Sequence, residues 1–360
     1  MPSLKDLSGT LSSLRQAEEK RQFTAKELQE FKRTKTGPNG FLESQLCLPI
    51  KEITPEGVMS GVDSGFISKN FYSFDITFVK AVSAIFNYEK GVLKKADYLP
   101  SYYPLPEIFI DTKTLLSDEL NYTESIIRLL KEIEMAVKSI EQFKPRYCFL
   151  DGSIIPQYTE KPRSDSPLEK NYNSLINSFH NLYKKAELNN CTLIACVEDS
   201  RGTRFIDLLK ESFSSKIPSL NSLPNSFDVV LLDSILNEKE RTSCFNYTDN
   251  ISNHAILKDF KPEYASQVKA FYLKPVKYDK PLRIEFLSKD ETAHENADEI
   301  ASIVLALSSL HKAYAYPSIL IEADFHARLN PAEIEMLTDK ILDKLGSNYK
   351  LFLRRNIRPF

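Results

Sequence analysis

Two rhythms of apolar residues run along the chain. Between Gly57 and about Tyr88 they come in short strand-like blocks, with Met59 and Gly61 leading to Asp63. After a turn, residues 71–82 continue in aromatic and β-branched types, which predicts an antiparallel meander with Asp63 on its first strand. A Tyr/Pro-rich loop over 99–106 and a short strand at Ile108-Phe109-Ile110 follow. From Glu119 to about Phe143 the rhythm becomes helical, with Ile126, Leu130, Ile133, Val137 and Ile140 on one stripe. Glu132 and Glu134 flank that stripe on opposite edges, so either can point inward; a solvated helix edge is the plainer reading of both.

The helix leads into Arg146–Ile155, an apolar run that predicts a buried strand ending in Asp151, with Gly152-Ser153 following at once. Beyond a polar loop over 159–166, the pattern predicts a helix over 168–188 and a second buried strand over 192–197, which ends in Glu198-Asp199-Ser200-Arg201. Another helix follows, then the apolar run Val229–Leu236 and Glu240-Arg241-Thr242. Residues 271–275 and 282–286 read as paired strands, and helices are predicted over 295–312, 316–329 and 331–345. A meander followed by alternating strands and helices predicts an α/β protein with a mixed sheet. Residues 1–36 read as a polar helical arm, solvated or in contact with a partner or DNA, ended by Thr36-Gly37-Pro38-Asn39-Gly40.

Composition narrows the function mainly by exclusion. In 360 residues, 42% hydrophobic and 27% charged, there is material for a full core. The sequence has no apolar run of 18 residues and no secretory leader, which predicts a cytoplasmic protein. The 47 basic and 49 acidic residues give a net charge of −2, so any nucleic acid must meet a local basic patch. Five cysteines without a CxxC pair are expected to be structural thiols. No GxGxxG, P-loop or GxSxG motif is present, which removes common nucleotide-binding and hydrolase readings.

The candidate chemistry lies in a repeated strand-end pattern. Phe149-Leu150-Asp151-Gly152-Ser153 and Gly61-Val62-Asp63-Ser64-Gly65 share an apolar lead, an aspartate and small residues after it. One such aspartate is most simply a turn residue. Two of them suit a divalent cation, because hard cations take carboxylate oxygens and leave room for water and phosphate.

With these motifs in order, the chain resembles the NurA nuclease family, which has a ribonuclease-H-like core and works with the HerA hexameric ATPase in DNA end processing. The resemblance spans residues 57–330. It rests on the two aspartate motifs, Val197-Glu198-Asp199-Ser200-Arg201, Asp233 with Glu240-Arg241, Tyr272-Leu273 with Arg283-Ile284-Glu285, and Tyr316-Pro317 with Glu322-Ala323-Asp324. It implies a ribonuclease-H-like mixed sheet flanked by helices, with a helical N-terminal arm (1–40), a NurA-like nuclease domain (55–345) and a basic tail (346–360). It further implies a DNA nuclease dependent on Mn2+ or Mg2+, acting on ends or single strands in break repair, as a homodimer seated on a HerA-type ATPase.

The site it implies uses Asp63, Asp151, a glutamate that is Glu132 or Glu134, Tyr316, and a late histidine. The register from Tyr316-Pro317 to Ala323 puts Asp324 where the family has histidine; the nearest histidine is His326. Asp63, Asp151 and Asp324 are the expected metal ligands, and Arg201, Arg204, Lys274 and Arg283 the expected DNA contacts. The plainer reading of Asp324 is an ion pair with Arg328. The competing reading of the whole chain is a non-catalytic module that binds DNA or clamps a partner ATPase.

Overall fold

The computed structural model describes residues 4–33, 40–71, 73–112 and 117–346. In chain order these form α1 (Leu4–Phe31), β1 (Cys47–Pro49), β2 (Gly57–Asn70), β3 (Asp75–Glu89), β4 (Val92–Leu99), β5 (Glu107–Asp111), α2 (Ser117–Phe143), β6 (Tyr147–Asp151) and α3 (Glu169–Leu188). Then come β7 (Thr192–Val197), α4 (Arg204–Phe213), α5 (Asp228–Ile235), β8 (Glu240–Thr242), β9 (Phe245–Asn246), α6 (Pro262–Ala265), β10 (Val268–Lys274) and β11 (Leu282–Leu287). The last elements are α7 (Ala293–Ser308), α8 (Ser318–Ala327) and α9 (Pro331–Leu345).

The strand expected to end at Asp151 does so, because Gly152 turns the chain with φ +99. The differences from the pattern-based reading have local causes. The helix expected from Tyr316 begins at Ser318, since the residue before Pro317 is kept out of the helical region. The run Val229–Leu236, which the pattern leaves unassigned because a short, continuously apolar segment carries no period, is mostly helix, α5. The five cysteines are free and buried, as expected of structural thiols. Basic Arg354, Arg355 and Arg358 lie outside the described residues.

The chain divides into two compact units. The first comprises Met1–Pro55, Ile194–His254 and Pro262–Ser318. Its strands are ordered β1-β8-β10-β11-β7, with β9 also on β10, and every pairing is antiparallel. α1 is more than a solvated arm: Ala25 and Leu28 are buried in the same core cluster as Ile206, Leu232 and Ile235.

The second unit comprises Glu56–Leu193, Ala255–Lys261 and Ile319–Phe360. Its sheet runs β6-β2-β3-β4, with β5 pairing the start of β3. β2 and β3 pair antiparallel from Gly57↔Tyr88 to Asn70↔Asp75, the predicted meander. β6 joins the other edge of β2 in parallel, from Met59↔Tyr147 to Val62↔Leu150, so the sheet is mixed. α2 packs against β2 and β3 and α3 against α2, while α9 buries Ile334 and Leu342 against Phe71, Phe74 and Phe78. No helix among the described residues is long and apolar enough to cross a membrane.

Candidate active site

Strand register brings the two aspartates together. Val62 pairs with Leu150 in the parallel β2–β6 ladder, so Asp63 and Asp151 are the next residues on strands ~4.8 Å apart and emerge on the same face. The glycines on either side of Asp63 explain which face that is. A Cβ built on Gly61 would lie 2.9 Å from the Ile319 carbonyl oxygen, and one on Gly65 2.8 Å from that of Ala327. Positions 61, 63 and 65 share a face, so α8 lies directly on the β2 backbone and Asp63 looks towards it between the two contacts. Any side chain at 61 or 65 would lift the helix off the sheet.

Val62 and Ser64 point the opposite way. The Ser64 hydroxyl donates to Glu132 Oε2 at 2.5 Å, which selects Glu132 of the two glutamates on α2. Glu132 is 4% exposed. Glu134 is solvated, between Lys131 at 3.1 Å and Lys138 at 2.8 Å, and these ammonium groups hold its carboxyl below the usual range. That corrects the expectation for Glu134.

Electrostatics set the carboxylates of the cluster against one another. Burial, then Asp151 and Glu132, pushes the Asp63 carboxyl up to about 8; a hydrogen bond from the Ser64 amide, at 2.6 Å, and the charge of Asp324 are the smaller influences, lowering and raising it respectively. Burial pushes Glu132 up to about 7, against the opposing pull of Arg128 and the Ser64 hydroxyl, with Asp151 and Glu160 adding to the rise. These are hard oxygen donors that repel one another, the chemistry a divalent cation relieves. As the side chains stand, no group of three or more His, Cys, Asp or Glu among the described residues is disposed to hold a metal ion. The hydrogen bonds give the reason: Asp63 is turned to its neighbour's amide, Glu132 to Ser64 and Arg128, and Asp324 to Arg328 at 2.9 Å.

The remaining expected residues separate clearly. Asp324 is near enough to Asp63 to raise its pKa and also makes the i,i+4 pair with Arg328. His326 is buried against Tyr98, Tyr102 and Tyr103, with Nε2 3.2 Å from Glu322, which also accepts from the Tyr98 hydroxyl. Tyr316 donates its hydroxyl to the Cys196 carbonyl at 3.0 Å, so its proton is engaged by the β7 backbone. Arg201 is exposed, while Arg204 is half-buried and paired with Asp249 and Glu211. Lys274 and Arg283, expected at the DNA, are buried instead, Lys274 on Asp233 at 2.6 Å and Arg283 on Glu285 at 2.7 Å. Arg128 and Glu160 were missed. The i,i+4 spacing of Arg128 to Glu132 was a readable signal; Glu160, distant in sequence, offered none.

Comparison with known proteins bears on the fold and the family. No curated protein matches the sequence. The NurA nuclease from Sulfolobus solfataricus superimposes with a TM-score of 0.59 at 14% identity, covering 95% of this chain and 94% of that one. A second NurA structure gives 0.50 at 11% identity, covering 96% and 99%. A NurA solved with manganese gives 0.46 at 12% identity, covering 83% and 91%. At such identities the likeness of the first two shows the fold, the expected ribonuclease-H-like mixed sheet with flanking helices. The profile of the NurA domain matches residues 57–329, from the start of β2 to just beyond α8. The chain belongs to the NurA family.

Proposed function

We propose that this protein is a divalent-metal-dependent nuclease that hydrolyses phosphodiester bonds of DNA, at ends or in single strands. The observation that carries this is the side-by-side placement of Asp63 and Asp151 on one sheet face, with Asp63 destabilised as an anion by burial and by its neighbours. Asp63 and Asp151 would be the central ligands, with Glu132 and Asp324 beside them. When bound, Mn2+ or Mg2+ would activate water and stabilise the leaving oxygen. The chain's part is to fix carboxylates of high basicity on a rigid strand pair, and to hold α8 against that pair through Gly61 and Gly65. Action in DNA end resection and break repair, as a cytoplasmic homodimer with a HerA-type hexameric ATPase, rests on family membership.

The test is degradation of single-stranded and end-bearing duplex DNA with Mn2+ or Mg2+ supplied. Metal-dependent loss of substrate is expected, and Asp63→Asn or Asp151→Asn should lower it by about 100-fold or more with the fold intact. Variants that cleave at the wild-type rate would remove these residues from the site. The pairing of Glu132 and Asp324 with arginines on their own helices favours the non-catalytic alternative, a module that binds DNA or a partner ATPase. A folded wild type that degrades nothing under any of these conditions would establish it.

A further inference from the structure

We propose that Arg128 is a built-in counter-cation of the acidic site, one that competes with the divalent ion for Glu132 and is retained by Glu160 when it loses; this rests on the metal-site reading above. The Arg128 guanidinium lies 2.9 Å from Glu132 Oε2, 3.2 Å from the Ser64 hydroxyl and 3.6 Å from Glu160 Oε1. A solvated i,i+4 pair on a helix would mean little. This one is largely enclosed, with side-chain exposures of 23% for Arg128, 5% for Glu132 and 10% for Glu160.

Glu160 is anchored independently of Arg128. Its other oxygen accepts from the Gln157 amide at 2.6 Å, in the turn that follows the Asp151 strand. Arg128 is therefore suspended between two carboxylates, one fixed to a turn and one whose charge reaches Asp63. Glu132 Oε2 already receives two donors, from Ser64 and Arg128. A ligand oxygen must lie ~2.0–2.6 Å from a divalent ion, which would set that ion close to the guanidinium, like charge against like. Occupancy of Glu132 by one cation thus disfavours the other, and Glu160 gives the displaced arginine a second partner. The arrangement accounts for two features of the site: among the described residues no three carboxylates are disposed about one ion, and a positive group sits beside Glu132.

The experiment is calorimetric titration of the full chain with MnCl2, without DNA, alongside thermal melts with and without the metal. Arg128→Gln should bind Mn2+ about tenfold more tightly than wild type. It should also melt lower without metal and gain more from it. Arg128→Lys keeps the charge and should bind as wild type does. Unchanged or weaker binding by Arg128→Gln would reduce Arg128 to a structural pair and overturn the proposal. Should that variant fail to fold, the Nε–H resonance of Arg128 in the wild type, assigned with Arg128→Lys, is followed during Mg2+ titration. A shift supports displacement, and an unmoved resonance overturns it. Wild-type Mn2+ binding that Asp63→Asn leaves untouched would instead remove the metal site itself.

Discussion

The first unit and the second both bury charged clusters, and they do so on opposite terms. In the first, Arg241 is fully enclosed, meets Glu43 through two parallel bonds at 2.6 and 2.7 Å, and reaches Asp298 and the Thr242 carbonyl as well. Arg283 is held by Glu285 and Tyr272 and faces the rings of Phe245, Tyr247 and Tyr272. Asp228 accepts from the amides of Phe205 and Ile206, at the start of α4, and from the Tyr272 hydroxyl. These are cations matched to carboxylates and carboxylates matched to donors. In the second unit, Asp151 raises the pKa of both Asp63 and Glu132, Glu132 also raises that of Asp63, and Arg128 opposes the rise at Glu132 alone of the two. Burial is common to both clusters, so burial is not the mark of function. What differs is the balance of charge, and carboxylates shifted in this way concentrate at functional sites.

The largest expected effect tests the sign of that contrast. Arg241→Met leaves Glu43 buried beside the Cys244 amide without its cation, and should cost about 3–5 kcal/mol of stability in urea unfolding. Asp63→Asn should act the other way without divalent metal, raising stability by about 1–2 kcal/mol as the cost of burying a carboxyl among like groups disappears. Similar losses in both variants would abolish the distinction between a matched cluster and a mismatched one.

A smaller effect sharpens it through pH. Asp63 and Glu132 have folded pKa values of about 8 and about 7, raised from ordinary values of 3.8 and 4.5. The folded state therefore holds protons that the unfolded chain has already released. This contribution is fully present below the unfolded values and is lost as pH rises through the folded ones. With chelator present, the melting temperature should fall between about pH 4 and pH 8, and Asp63→Asn should flatten the fall. Added Mn2+ should offset it most at the alkaline end, where the carboxylates are ionised. A metal-free melt that stays level or rises over this window would show the cluster to be compensated after all.

Much of this was legible in the sequence because it is periodic. The meander over β2 and β3, the amphipathic stripe of α2 and the paired aspartate motifs are one-dimensional patterns, and the parallel register that joins Asp63 to Asp151 extends them by one step. What escaped depends on neighbours distant in sequence. Glu132 is distinguished from Glu134 by Ser64, 68 positions away. Lys274 and Arg283 look like surface cations until Asp233 and Glu285 enclose them. The C-terminal turns of α1 look solvated until α5 and its neighbours cover Ala25 and Leu28. Gly61 and Gly65 were read as grammar around an aspartate, whereas their use is to let the α8 carbonyls approach the β2 backbone.

The smallest expected effect decides between Asp324 and His326, two residues of α8 about 200° apart. Ile319, Ala323 and Ala327 recur every fourth position and are buried, and the carbonyls of the first and last touch Gly61 and Gly65. Ala323 therefore faces the sheet and sets the helix rotation. Asp324 lies on one flank, where Asp63 feels its charge; Glu322 and His326 lie on the other, against Tyr98 of β4. Asp324→Ala should lower Mn2+-dependent cleavage about tenfold. Its stability should change by no more than about 0.5 kcal/mol, since the partner Arg328 is 71% exposed. His326→Ala should leave the rate near wild type and lower stability by about 1–3 kcal/mol, as the cage of tyrosine rings loses its centre. Parallel manganese titrations and urea melts read both quantities. If His326→Ala loses the cleavage while Asp324→Ala keeps it, the working α8 presents its other flank to Asp63, and the aspartate in the late motif is only the partner of Arg328.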